Sequence, residues 1–210
     1  MPLDLELAKL ATDNADGADW YECAGREISS VCEAAGWDMR IFTGVLSVTS
    51  PRVSVARNVR ITLHYMDCNE LFDNVMSSIR TGVTKFIDTG VISGLKTSAF
   101  FNALMGDEDS VVLDVHMADL LCIEQKLFAG KRVYNEYADF IRGVAVIAGM
   151  TPRQCQAALW AGQLRNRGRV ATRMNITTER NNQIAHGRFP CRGPIASLAC
   201  ADGSVQNLLY

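Results

Sequence analysis

The stretch Ser93 to His116, SGLKTSAFFNALMGDEDSVVLDVH, joins a glycine turn, a helix-forming run, an acidic loop and an apolar run that ends in an aspartate and a histidine. Gly94 sits where a tight turn feeds the helix, and Lys96 falls in its first turn. Thr97 to Met105 has Ala99, Phe100, Ala103 and Leu104 at helical spacing, and Gly106-Asp107-Glu108-Asp109 ends it. Lys96 and Asp114 are eighteen positions apart. One helix and one loop between them let the chain double back, so amine and carboxylate can share a cleft. A lysine beside a carboxylate can act as a nucleophilic amine or stand against a forming cation, and both suit a carbon losing a leaving group. A solvated lysine and a helix-capping aspartate are the plainer alternative.

Outward from this stretch the chain reads as a string of helices. Leu3 to Ala11, Trp20 to Ala35 with Gly36 as its stop, and Met39 to Val48 precede it. The third of these, MRIFTGVLSV, is more uniformly apolar and implies burial from several sides. In Thr49-Ser50-Pro51-Arg52 the proline suits a first helical turn, with Thr49 or Ser50 as cap to a helix over Val53 to Met66. Arg52, Arg57 and Arg60 would lie on its exposed face, near an N-terminus that favours anions. Leu71 to Ile79 and Val83 to Asp88 read as two short helices around Thr81-Gly82. Val111 to Leu121 opens on VVL, which alone could be a strand, but nothing else in the chain offers strand partners, so a buried helix start is expected. Tyr134 to Gly149 and Pro152 to about Leu164 are two further helices. Met174 to Tyr210 is rich in Asn, Gly and Pro, with one short helix expected near Ser197. His64, Trp37, Tyr134, Tyr137 and Trp160 are read as packing residues. The fold class is therefore all-α, with residues 1–169 as one helical domain and 170–210 as a basic, loop-rich C-terminal extension.

Composition narrows the chemistry. At 210 residues with 48% hydrophobic and 21% charged side chains, the chain can bury a sizeable core. Its apolar runs are too short to span a bilayer, and the first ten residues lack a signal peptide's basic flank and apolar core, so a cytoplasmic protein without a membrane partner is expected. Seven cysteines are dispersed without a CxxC, which argues for reduced thiols and against a metal site or cluster. The net charge of −2 hides an asymmetry: from Ala161 onward seven arginines face Glu179 and Asp202, a local +5, leaving −7 on the rest. Such a tail can meet a phosphate backbone or dock on the acidic body.

Two stretches resemble one family. Leu46 to Val59, LSVTSPRVSVARNV, and Gly94 to Met117, GLKTSAFFNALMGDEDSVVLDVHM, are similar to segments of the helix-hairpin-helix DNA glycosylases, the superfamily of endonuclease III and adenine glycosylase. The lysine-to-aspartate spacing agrees with that family, as does a histidine two residues after the aspartate. The resemblance implies a two-lobed helical fold with a cleft that takes a nucleotide flipped out of double-stranded DNA. It implies Lys96 as the amine that attacks the sugar C1′ and Asp114 as the carboxylate that stabilises charge on the sugar. Thr49 would stand where the family has a glutamine that fills the gap left by the base. Ser50, Arg52, Arg57, Gly94 and His116 would face the DNA. Neither metal nor cofactor is called for.

The departures are specific. The family's hairpin has two glycines before the lysine, and here Ile92 and Gly94 occupy those places, so the hairpin is degenerate. Under a second alignment the lysine lies on an earlier helix, and Asp114 alone survives as catalytic. The short chain also resembles compact virus-encoded members of the superfamily, which act in a host cell on hypermodified pyrimidines. For those the reaction would be transfer of an amino acid or polyamine to an activated hydroxymethyl base. A non-catalytic DNA-binding protein of the same fold, and a purely structural helical protein, are the readings from other classes.

Overall fold

A computed structural model describes residues 3–185 of the chain. Ten α-helices account for most of them, and no strand occurs among the described residues. They are α1 (Leu3–Asp13), α2 (Trp20–Ala35), α3 (Met39–Thr49), α4 (Val55–Cys68) and α5 (Ser77–Thr89). After them come α6 (Leu95–Leu104), α7 (Val115–Leu120), α8 (Lys131–Ala148), α9 (Pro152–Asn166) and α10 (Ile176–Ala185). None of the described helices is long and apolar enough to cross a membrane.

Packing follows the apolar faces. Helices α1, α8 and α9 pack together around Leu113, Met117, Ile141 and Leu159. A second cluster around Ile28, Phe42, Leu46 and Leu63 joins α2, α3, α4 and α6. Val45, Ile61 and Phe86 centre a third, between α3, α4 and α5. Helix α3 feeds two of these clusters at once, and every residue from Phe42 to Thr49 is buried. That is why its sequence lacks a polar face.

The start and stop signals act largely as the sequence implies. Gly36 and Gly149 end α2 and α8 in left-handed conformation. Pro152 opens α9 behind a capping box of Thr151 and Gln154.

Four expectations need correction. Helix α3 runs on through Thr49, so Pro51 falls in a loop; the cap of α4 is Ser54, whose hydroxyl accepts from the Arg57 amide at 3.3 Å. Thr81-Gly82 is no turn but the interior of α5. A Cβ at Gly82 would come within 2.9 Å of the Val48 side chain, so the glycine lets α5 approach α3. Val111 to Leu113 lies in no helix, and α7 begins only at Val115, after Asp114 in extended conformation. Residues 176–185 form α10, packed on α2 and α4, with Met174 and Ile176 buried in the second cluster. The boundary expected at residue 169 is thus not a break in packing. Ser197, Arg188 and Arg192 lie outside the described residues.

Several packing assignments were also finer than the sequence could show. His64 is only half-buried and stacks on Phe72 at 4.0 Å between ring centroids. Trp37 is half-buried between Phe42 and the Arg180 guanidinium, which lies 4.0 Å from its ring centroid.

Candidate functional site

Lys96 is held at the second residue of α6. Gly94 caps that helix with φ of 97°, a conformation that L side chains rarely adopt, which is why glycine stands there. The Thr97 hydroxyl steadies the turn through the Ser93 and Gly94 carbonyls at 2.6 and 3.0 Å.

Asp114 is placed by different means. The non-helical run before it has no strand to pair with, and the Tyr134 hydroxyl takes that part. It accepts from the Leu113 amide at 3.1 Å and donates to the Val111 carbonyl at 2.9 Å. Burial pushes the Tyr134 hydroxyl's pKa up to about 12, so it stays protonated and able to donate. Asp114 then caps α7: its Oδ1 accepts from the amides of His116 and Met117 at 2.9 and 3.0 Å. Both capping bonds use one oxygen, and Oδ2 takes no part in them.

The Lys96 and Asp114 side chains line one cavity of about 290 Å³. Rings of Trp20, Tyr21, Phe100 and Trp160 form much of its wall, with Trp20 edge-on to Trp160 at 5.6 Å between centroids. The buried Tyr21 hydroxyl donates to Gln156 Oε1 at 2.8 Å, and burial raises its pKa well above the usual value. Lysine and aspartate do not close a direct ion pair. Burial lowers the Lys96 pKa because it disfavours the ammonium form, and the charge of Asp114 offsets part of that effect.

Two residues of the cavity wall carry a buried polar atom without a partner. Ser50 Oγ and His116 Nδ1 are buried without a hydrogen bond, and both residues line the wall. Leaving such an atom unpaired costs about 1–3 kcal/mol. The segment 169–174 closes one side of the cavity with Arg169, Val170, Thr172 and Met174. It is pinned by Trp20 Nε1, which donates to the Thr172 carbonyl at 3.0 Å.

Beside the cavity, with Lys96 as shared wall, lies a more open hollow of about 670 Å³. Arg52, Gly94 and Lys126 line it, and no acidic side chain among the described residues does. Of the residues singled out from sequence, Lys96, Asp114, Ser50 and His116 meet at the cavity, while Arg52 and Gly94 meet at the hollow. Arg57 is exposed and lines neither. Thr49 stands apart. It is fully buried, and its hydroxyl is engaged with the Val45 carbonyl at 2.8 Å and Asn58 Oδ1 at 2.6 Å, so it has nothing to offer a DNA gap.

Trp20, Tyr21, Phe100 and Arg169 carry no sequence signal for their places at this cavity. Trp160 and Gln156, one helical turn apart, carried the only signal; Tyr21 and Gln156 meet across 135 positions, a pairing that no local pattern encodes.

An all-α protein with an aromatic-walled cavity holding one amine and one carboxylate is the class that fold and site define. The chain belongs to a family of unknown function, DUF7178, whose pattern it matches over residues 8–168. No curated protein and no solved structure matches it.

Proposed function

We propose that the protein binds double-stranded DNA, turns a pyrimidine nucleotide into the cavity and breaks its N-glycosidic bond, as a compact two-lobed relative of the helix-hairpin-helix DNA glycosylases. The carrying observation is that Lys96 and Asp114 line one aromatic-walled cavity, together with Ser50 and His116. Aromatic walls suit an extruded base, which loses its stacking neighbours when it leaves the duplex. The basic hollow beside Lys96 suits the phosphate backbone that carries that base.

The chemistry follows from the two side chains. As the C1′–N bond breaks, positive charge develops at C1′, and the Asp114 carboxylate stabilises it. The lowered pKa of Lys96 raises the fraction present as free amine, which attacks C1′. The base leaves with the bonding electron pair and takes up a proton, and the amine's lost proton passes to solvent. Ring opening of the sugar then gives a Schiff base on Lys96.

The test uses duplexes containing thymine or 5-hydroxymethyluracil, read by alkali-labile abasic sites, by the mass of the released base and by borohydride trapping of the protein–DNA adduct. Release is expected for the wild type, loss of the trapped adduct for Lys96→Ala and loss of release for Asp114→Asn. A gain of base mass in place of release would assign the group-transfer chemistry of the virus-encoded branch. Unchanged bases on every duplex would reject the enzymatic reading.

A further inference from the structure

The described tail arginines divide sharply by partner. Arg165 pairs with Asp16, Arg167 with Asp119 at 2.9 Å and Arg173 with Asp19 at 3.0 Å, while Arg180 lies over Trp37. Arg169 differs. Its side chain has no partner among the described residues, and it stands at the wall of the Lys96–Asp114 cavity.

The charges of that cavity do not balance. Among the described residues, two cations, Lys96 and Arg169, and one carboxylate, Asp114, line it. Asp114 offsets Lys96 through space. Arg169 is left as an uncompensated, exposed guanidinium beside a partly apolar hollow, where an anion meets less competition from water than on open surface. Its planar fork matches phosphate in two parallel hydrogen bonds. Gly168, at φ of 68°, turns the chain at the end of α9 and sets the next residue against the cavity.

We infer that Arg169 is the anion-binding residue of this cavity and takes a phosphate of the ligand, whose base or sugar meets Ser50 and His116 within. The identity of that anion as a nucleotide phosphate rests on the proposed function; the anion site itself does not.

The experiment titrates the full chain with thymidine, thymidine 5′-monophosphate, a five-residue oligothymidylate and inorganic pyrophosphate, read by the fluorescence of Trp20 and Trp160 at the cavity. The wild type should bind the monophosphate about tenfold or more tightly than thymidine, the scale of one charge-assisted contact. Arg169→Ala should abolish that preference and leave thymidine affinity unchanged, and Arg169→Lys should keep part of it. Arg132→Ala, on an exposed face of α8 and outside the cavity, controls for net charge and should keep all of it. An Arg169-dependent gain for the oligonucleotide as well places the phosphate in a strand, and a gain confined to the monophosphate points to a free nucleotide; both support the inference. Equal affinity of wild type and Arg169→Ala for the monophosphate overturns it. Arg169-dependent binding of pyrophosphate without binding of any nucleoside sustains the anion site and rejects the nucleobase reading. Binding of none of the four rejects both.

Discussion

Asp114 uses Oδ1 to cap α7 and leaves Oδ2 outside the capping bonds, so its structural and chemical roles fall on different atoms. Asparagine keeps a capping oxygen and removes the charge. Asp114→Asn should therefore leave the melting temperature near that of the wild type, whereas Asp114→Ala loses the cap and about 1 kcal/mol of stability. Thermal unfolding of the two variants checks this, and equal losses would mean that the charge, not the cap, supports the fold. Lys96 makes the opposite case, a charge that the fold tolerates at a cost. Its folded pKa lies below the ordinary 10.5, so the unfolded chain binds the proton more tightly. The sign follows: stability is diminished while pH is below the lowered folded value and recovers as pH rises from there toward 10.5. Lys96→Met should be at least as stable as wild type near neutral pH, with the difference in melting temperature shrinking as pH rises through that window. A wild-type advantage at neutral pH would show that the ammonium is stabilised rather than strained.

At the scale of elements, α3 is a pivot: Phe42 and Leu46 enter one core cluster, and Val45 and Val48 enter another. Gly44 faces α5, and a methyl group there would come within 2.0 Å of the Phe86 ring, far inside van der Waals contact. Gly44→Ala should cost about 3 kcal/mol through overpacking, measured by denaturant midpoint; Phe86→Leu in the same background should recover part of the loss. A neutral Gly44→Ala would mean that α5 can shift without cost. The sequence of α3 announced its burial through a more uniformly apolar pattern than its neighbours, and glycine and proline marked the ends of α2, α8 and α9 just as plainly. These signals are local, and local physics was enough to read them. What stayed hidden depends on distant partners. Val111 to Leu113 has strand-like composition, yet it is neither strand nor helix, because a tyrosine hydroxyl 21 positions beyond Leu113 satisfies its backbone. Gly82 reads as a breaker and is instead a contact point for a neighbouring helix. The pairing of Lys96 with Asp114 was legible from spacing, whereas the aromatic wall around them was assembled from helices far apart in the chain.

At the scale of the whole molecule, part of the charge asymmetry of the sequence is settled by ion pairs among the described residues. Arg165, Arg167 and Arg173 meet acids on the body, so the docking alternative accounts for these and leaves Arg169 at the cavity wall without an acidic partner. The same docking draws residues beyond the family match at 168 into the fold. Met174 and Ile176 are buried against α2 and α4, and the segment before them walls the cavity. These surface ion pairs are each worth little, so the burial of Ile176 should dominate the attachment. Ile176→Ala is expected to cost about 2–5 kcal/mol, the range for emptying a fully buried site. Arg173→Ala should cost well under 1 kcal/mol, as an exposed pair does. Urea unfolding of both variants measures the difference, and the nucleotide titration in Ile176→Ala should weaken in parallel, since Thr172 and Met174 stand on the same strap as Arg169. A small cost for Ile176→Ala with unchanged binding would show that α10 is an appendage and that the cavity is complete without it.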